Sequence, residues 1–246
     1  MSPGTRPPMA IFAYDPMITR RFPGIVGGAV HARGVSNGAA SAELAAAFAH
    51  EQDRVRERIG ETPLSEIPSL AAWRRAFREF GVDPTGYRSA AEALLRRLTK
   101  QGSIPSINTL VDIGNLVSIR YALPVAVFDQ RAVTGGTVVR FAEGGESFTD
   151  LGSGQRESPD PGEVIFIDHA GLVSARRWCW RQSADSASNA HTTDVLVTVE
   201  GHHSGAEDDI RAAVRDLESL LDRYARPAAM VSQVIAAASP AFAGLG

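Results

Sequence analysis

A single cysteine, Cys179, stands among 246 residues, so no disulfide can form within the chain and the disulfide-stapled secreted scaffolds are excluded. P-loop, H-E-x-x-H and Cys-x-x-Cys patterns are all missing, which leaves nucleotidase and zinc-enzyme readings without their usual marks. Long apolar runs are missing as well. The opening MSPGTRPPMAIFAYDPMITRR has no charged start followed by an unbroken apolar core, so it does not read as a signal peptide. Its first eight residues are expected to be disordered. The uncharged stretch from Pro227 to Gly246 is broken by Ser232, Gln233, Ser239 and Pro240 and makes a poor membrane span; a docked helix or a loose tail is expected there. Absence of disulfides and of a leader fits a reducing cytoplasm.

What is present is an ordinary soluble composition, 44% hydrophobic and 22% charged, in a chain long enough to bury a full core. We expect residues 1–246 to form a single compact domain. A net charge of −3 and an isoelectric point near 6.1 argue against a protein that coats nucleic acid indiscriminately, because such binding neutralises many phosphates. The charge is unevenly spread. Residues 73–100 carry a local excess of four positive charges, including Arg74, Arg75, Arg96 and Arg97, whereas residues 206–222 are rich in Asp and Glu. Two readings of this asymmetry stand: an RNA approaching one side, and plain solvated helix faces.

Helical periodicity covers Ser41 to about Ile59, Leu70 to Phe80 with a stop at Gly81, a run opened by a Ser89/Glu92 capping box, about Ser106 to Arg120, and about Ala206 to Tyr224. After Tyr121 the pattern turns to short strands: LPVAVFD, TVVRFA, ESFTDL, EVIFID, GLVSARRWCW and DVLVTVEG. Helices flanking a mostly antiparallel sheet make an α+β fold. In SARRWCWRQ, strand alternation places Arg176, Trp178 and Trp180 on one face and Arg177, Cys179 and Arg181 on the other. That arrangement suits nucleobase stacking and phosphate contact, and equally a core tryptophan with an ion-paired rim. Cys179 between two tryptophans reads as a buried inert thiol rather than a nucleophile. The adjacent His202 and His203, with His169 in a turn, do not make a metal site.

The most informative stretch runs from Ser103 to Glu146. On its helix, Ile107, Leu110, Val111, Gly114 and Val117 recur at packing spacing, while Asn108, Asp112, Asn115 and Ser118 fall on another face. A face meant only for water usually carries longer charged side chains, so this polar stripe is a candidate pocket wall, with a solvated or capping face as the alternative.

The order Asn108, Val111-Asp112, Asn115, Pro124, Phe128-Asp129, Gly135-Gly136, Val139-Arg140 and Gly145-Glu146, followed by HTTDVLVTVEG, resembles the tRNA-editing domain of the phenylalanyl-tRNA synthetase β subunit. The likeness covers residues 73–200, and the segment from Trp73 to Gly102 is similar to the lead-in of freestanding relatives of that module. The resemblance implies an α+β editing fold, an aminoacylated tRNA as partner, no DNA or membrane partner, and hydrolysis of a mischarged tRNA in trans without cofactor or metal. It implies that Asn115 and Asp112 orient substrate or water. It further implies that Ala126, Trp178, Trp180, Arg181, Gln182 and Thr198 line the substrate pocket; the polar stripe adds Asn108 and Ser118 to these, and the local positive charge makes Arg74, Arg75, Arg96 and Arg97 the expected RNA contacts. Two positions depart from the family. Ala126 stands where the family has His, and Thr198 where it has the Glu that reads a tyrosine hydroxyl, so the amino acid selected is expected to differ. A tRNA- or RNA-binding module without catalysis, or a pocket for a free amino acid-like metabolite, are the competing readings. No ATP-binding synthetase core is recognisable. The purified protein is therefore expected to give no amino-acid-dependent ATP–pyrophosphate exchange; a signal above the no-enzyme blank would contradict that reading.

Overall fold

The computed structural model describes residues 10–246, and the disorder expected for the first eight residues falls outside them. The helices are α1 (Pro16–Arg21), α2 (Ala42–Ile59), α3 (Pro68–Glu79), α4 (Ala90–Gln101), α5 (Thr109–Tyr121) and α6 (Ala206–Ala225). Short side-chain oxygens start four of them, Asp15 accepting from the Met17 N–H at α1. Ser41 accepts from the Leu44 N–H, Ser89 from Glu92 and Asn108 from Val111, each satisfying one of the donors a helix start leaves unpaired. The polar-striped helix thus begins at Thr109 rather than Ser106, because Asn108 caps it. At Ser89 only half of the expected capping box forms. The Glu92 carboxylate turns instead to Arg74, 2.7 Å away.

Twelve strands are present: β1 (Phe12–Tyr14), β2 (Val26–Arg33), β3 (Val125–Asp129), β4 (Thr137–Phe141), β5 (Phe148–Thr149), β6 (Arg156–Glu157), β7 (Val164–Asp168), β8 (Val173–Arg176), β9 (Arg181–Gln182), β10 (Asp194–Gly201), β11 (Ala229–Ala236) and β12 (Ala241–Phe242). They build two main sheets, β12-β1-β4-β7-β8-β9 and β11-β2-β10-β3, plus the β5–β6 ribbon. All pairings between these strands, among the described residues, are antiparallel except β1 with β4. The fold is α+β, as expected, but with two stacked sheets in place of one. Two local expectations are corrected. The tail after Pro227 is neither a helix nor loose; Ala229–Ala236 zips along the whole of β2, since its β-branched Val231, Val234 and Ile235 fit a pleated surface better than a helix. The run after β8 is not a continuous strand. Arg177 and Trp178 adopt φ of 43° and 59°, a conformation costly for side chains this large, and the chain turns there because the Trp178 indole is drawn wholly into the core.

Period-two alternation along the β2 sheet explains the layering. One face, with Val30, Ala32, Val127, Val195, Val197 and Val199, packs against α2, α4, α5 and α6. The other, with Ala29, Phe128, Leu196 and Ile235, packs against Phe12, Tyr14, Val139 and Phe166 of the second sheet. That sheet's far side is covered by Phe148 of β5. Two neighbouring glycines on β2 permit both packings. A methyl on Gly28 would lie 2.4 Å from Val214 Cγ2 of α6, and one on Gly27 would lie 2.3 Å from the Tyr14 hydroxyl. Overpacking of a filled core costs about 1–3 kcal/mol. Gly28→Ala is therefore expected to lower the unfolding free energy by that amount, read as a reduced urea midpoint at an unchanged denaturant slope; unaltered stability would mean that α6 does not seat on β2 this closely.

Candidate functional site

Between the two sheets, at the open end of the β3 edge, lies a partly open cavity lined by main-sheet, turn and helix residues. Its floor is set by strand register. Thr198 pairs with Ala126 on one side and Ala29 on the other, and Glu200 pairs with Gly27, so small neighbours leave room beside two polar side chains on one face of β10. Trp178 and Trp180 from the turn, Phe166 from β7 and Ala90 at the start of α4 complete the walls. The cavity gives about 70 Å³ to the centres of water-sized molecules.

Glu200 is the feature that sequence reasoning underweighted. Its side chain is buried, and Oε1 accepts from the Tyr14 hydroxyl at 2.7 Å and from the Trp178 indole N–H at 3.1 Å. No protein group among the described residues hydrogen-bonds Oε2. Burial pushes the carboxyl up to about 7, against the lowering pull of the two hydrogen bonds, because a dry surround penalises the charged form. The Tyr14 hydroxyl is driven up by the same burial and by the carboxylate beside it. Trp73 holds the strand from below, its indole N–H 3.4 Å from the Glu200 carbonyl. The signal available in the sequence was the spacing from Thr198 to Glu200, two residues apart and so on one face.

The expected pocket residues divide. Ala126, Trp178, Trp180, Arg181, Gln182 and Thr198 all line the cavity. Gln182 donates to the Val127 carbonyl at 2.6 Å, and Arg181 reaches Asp150 at 2.5 Å while lying 4.5 Å over the Trp180 ring. The polar stripe of α5 is placed elsewhere. Asn108 is the helix cap, Asp112 accepts from the Ser106 hydroxyl and the Ile107 N–H, and Ser118 donates to the Leu123 carbonyl at 2.7 Å. Each of the three ties local structure, Asn108 also donating to the Ser188 carbonyl at 3.5 Å, and none lines the cavity. Asn115, which does not line the cavity either, is half-buried and has no side-chain hydrogen bond among the described residues. It follows Gly114, which sits so close to β3 that a methyl there would be 2.9 Å from Val127 Cγ2.

Among the expected RNA contacts, Arg96 and Arg97 line an open groove beside the cavity. Arg74 is held by Glu92, and Arg75 is exposed on α3 outside that groove. Cys179 lines the cavity with its thiol pushed up by burial, the opposite of an activated nucleophile. Gly34–Gly38 has the G-x-S-x-G spacing, but the strand-to-helix elbow that would present such a serine is absent. Ser36 lies in a loop, its N–H bonded to Ala225, and α2 starts only at Ala42. His202, caged by Phe22, Trp73 and Trp178, is lowered to about 3 by burial and stays neutral. No group of three metal-binding side chains occurs among the described residues, and no described helix is long and apolar enough to cross a membrane.

Comparison with known proteins bears on this geometry. The chain is 39% identical over 106 residues to the phenylalanine–tRNA ligase β subunit of Bradyrhizobium diazoefficiens, covering 43% of this chain and 13% of that protein. It is 32% identical over 136 residues to the β subunit from Nocardia farcinica, covering 55% and 16%. It thus spans less than a fifth of the length of either relative. An N-terminal fragment of the phenylalanyl-tRNA synthetase β subunit from Pyrococcus horikoshii superimposes over 94% of this chain and 52% of its own, at 11% identity and a TM-score of 0.45. The family model described as the B3/4 domain matches residues 72–232, a span that contains every residue lining the cavity, and the chain belongs to the B3/4 domain family.

Proposed function

We propose that the chain hydrolyses the ester of a mischarged tRNA in trans, a translation quality-control reaction of the cytoplasm, with the aminoacyl group held in the cavity between the sheets. The observation that carries this reading is the coincidence of a partly open cavity with a single buried carboxyl, Glu200, and six wall residues that the family resemblance had assigned to substrate. By the measure that allots roughly 10–15 Å³ to one water, the cavity takes about five waters or a compact aminoacyl side chain. An aminoacyl ester is already activated, so orientation of ester and water can supply much of the rate. Apolar walls select by shape, and Glu200 fixes the polar end of the group that enters. With Ala126 and Thr198 in place of the family's His and Glu, the hydrogen-bonding centre moves one pleat along β10, to Glu200. Asn115 lies outside the cavity lining; its uncommitted amide is assigned to orienting the part of the aminoacylated tRNA that stays outside the cavity, and Asp112 supports it by holding the Ser106–Ile107 loop ahead of α5.

A second reading, RNA binding without turnover, draws on the same walls: their titratable side chains are Glu200, Arg181 and a Cys179 thiol held protonated, and none is a histidine. Deacylation of a panel of correctly and incorrectly charged tRNAs separates the two. Selective ester loss is expected for the wild type, falling roughly 10²-fold in kcat for Asn115→Ala, the scale of losing one positioned donor, with the melting temperature unchanged. Ester loss no faster than the spontaneous rate across the panel would end the deacylase reading in favour of binding alone.

Glu200 also sets a pH dependence. A carboxyl whose pKa is raised on folding, here from an ordinary value to about 7, contributes stability that is fully present below about pH 4.5 and is lost as pH rises through 7. At about 1.4 kcal/mol per pH unit the loss is on the order of 3 kcal/mol. Glu200→Gln keeps an acceptor for Tyr14 and Trp178 and cannot ionise. Urea unfolding is expected to find it equal to the wild type near pH 5 and more stable at pH 8; parallel pH profiles would mean that the carboxyl is not held in a dry site.

A further inference from the structure

α4 starts at the cavity and runs away from it. Its first residue, Ala90, lines the cavity and donates its N–H to the Cys179 carbonyl at 2.7 Å, which ties the helix start to the Arg177–Trp180 turn. Further along, Arg96, Arg97 and Lys100 line an open groove of about 370 Å³ that Arg88, Trp180 and Arg181 also border. Five of its nine lining residues are cationic and none is acidic. Two of the five are met by acids from outside the lining, Arg181 by Asp150 at 2.5 Å and Arg88 by Glu92 at 3.8 Å, Glu92 being held chiefly by Arg74; the uncompensated charge is that of the other three. Arg96, Arg97 and Lys100 are exposed and have no ion pair among the described residues. Like charges one helical turn apart repel, so such a cluster on a chain of net charge −3 is a cost for the free protein that a polyanion would relieve.

Continuity with the cavity identifies that polyanion. Trp180 and Arg181 belong to both walls, so whatever seats its end in the cavity leaves over this pair and into the groove. The threshold is itself layered. The Arg177 and Arg181 guanidinium groups lie 4.8 and 4.5 Å from the Trp180 ring centre, and Tyr87 meets that ring edge-on at 5.0 Å. Layered indole and guanidinium planes suit an unstacked nucleobase. We propose that the groove is the track for the phosphodiester backbone of a single-stranded RNA 3′ end, with Arg88, Arg96, Arg97 and Lys100 facing phosphates and the Trp180–Arg181 pair receiving the terminal nucleoside. The direction of the strand rests on the deacylase reading; the charge and the continuity do not. Arg74 and Arg75 are left out of the track, the first by its ion pair with Glu92 and the second by its position.

The test is equilibrium binding of uncharged tRNA as a function of salt, for the wild type, for the triple variant Arg96→Gln/Arg97→Gln/Lys100→Gln, and for Arg54→Gln on α2 as a control. All four positions are exposed, and thermal melts verify folding; the single reversal Arg97→Glu serves if the triple variant melts early. The triple variant is expected to bind at least tenfold more weakly at 0.1 M salt. Its log–log salt slope should shrink by about 2, at roughly 0.7 per phosphate contact on a single strand. Arg54→Gln should match the wild type, and tRNA trimmed of its single-stranded 3′ end should bind the wild type as poorly as intact tRNA binds the triple variant. Equal slopes for wild type and triple variant, trimmed and intact tRNA binding alike, no measurable tRNA binding, or competition by polyglutamate as strong as by a single-stranded oligonucleotide would each overturn the proposal. Turnover is scored separately. Groove-dependent binding without ester hydrolysis would remove the deacylase reading and leave the track, whereas hydrolysis with unchanged slopes would do the reverse.

Discussion

A carboxyl group buried between two sheets is the constraint around which this structure is arranged. Glu200 can sit there only because Tyr14 and Trp178 donate to it, since a dry carboxylate without donors costs several kcal/mol. Each donor makes its own demand. Tyr14 reaches across from the facing sheet and needs Gly27 opposite, where any side chain would strike its hydroxyl. Trp178 must turn its indole inward, which forces two consecutive bulky residues into left-handed backbone. The turn so formed carries Cys179 to the first N–H of α4 and Trp180 to the cavity rim. One buried acid thereby connects β1, β2, β10, the turn and α4.

The helices were legible because their signals are local. Ser41, Ser89 and Asn108 cap where short polar side chains precede periodic apolar ones, and Gly102 closes α4 with φ of 81°. Sheet order was not legible, since pairing partners lie far apart in sequence: β2 is flanked by β10 and β11, and β1 pairs in parallel with β4. The Arg176–Gln182 run illustrates the limit. Its alternation of large residues is a valid strand pattern, and the chain abandons it for tertiary reasons, a buried indole hydrogen-bonded to an acid 22 residues away. The uncharged tail was misjudged because an apolar segment can be a helix or a strand, and only β2's open edge decides between them.

The polar stripe on α5 carries a related lesson. Asn, Asp and Ser on one helix face correctly mark side chains that do something other than meet water, yet three of the four spend their hydrogen bonds on nearby backbone. Short polar side chains compete for local backbone groups wherever a helix begins or ends, and a 13-residue helix has both ends close by. The wall residues from Ala126 to Thr198 were found instead through ordered likeness to a family, which encodes the strand pairing that periodicity cannot. Glu200 fell between the two approaches. It is not at the family's acidic position, and as a lone Glu in an apolar strand it resembles a rim residue until the two sheets are stacked.

The shift from Thr198 to Glu200 has a consequence for selectivity within the proposed reaction. On one face of a strand, residues two apart are separated by about 6.5 Å, so, taking the resemblance's alignment of Thr198, the carboxyl would lie one pleat further along β10 than the family's acid. A polar group on the bound amino acid must then reach further to be paired, while Trp178 and Phe166 narrow the approach. Apolar walls alone discriminate weakly, by about 1–3 kcal/mol per methylene, whereas leaving a buried hydrogen-bonding group unmatched is penalised far more heavily. Under the deacylase proposal, selection in this cavity would fall mainly on whether the incoming side chain satisfies Glu200, and only secondarily on its size. Because that carboxyl sits near 7, it is an acceptor in its ionised form and a donor in its protonated one within the ordinary pH range, so the preferred amino acid would follow pH in a way that a fully ionised acid at the surface could not produce.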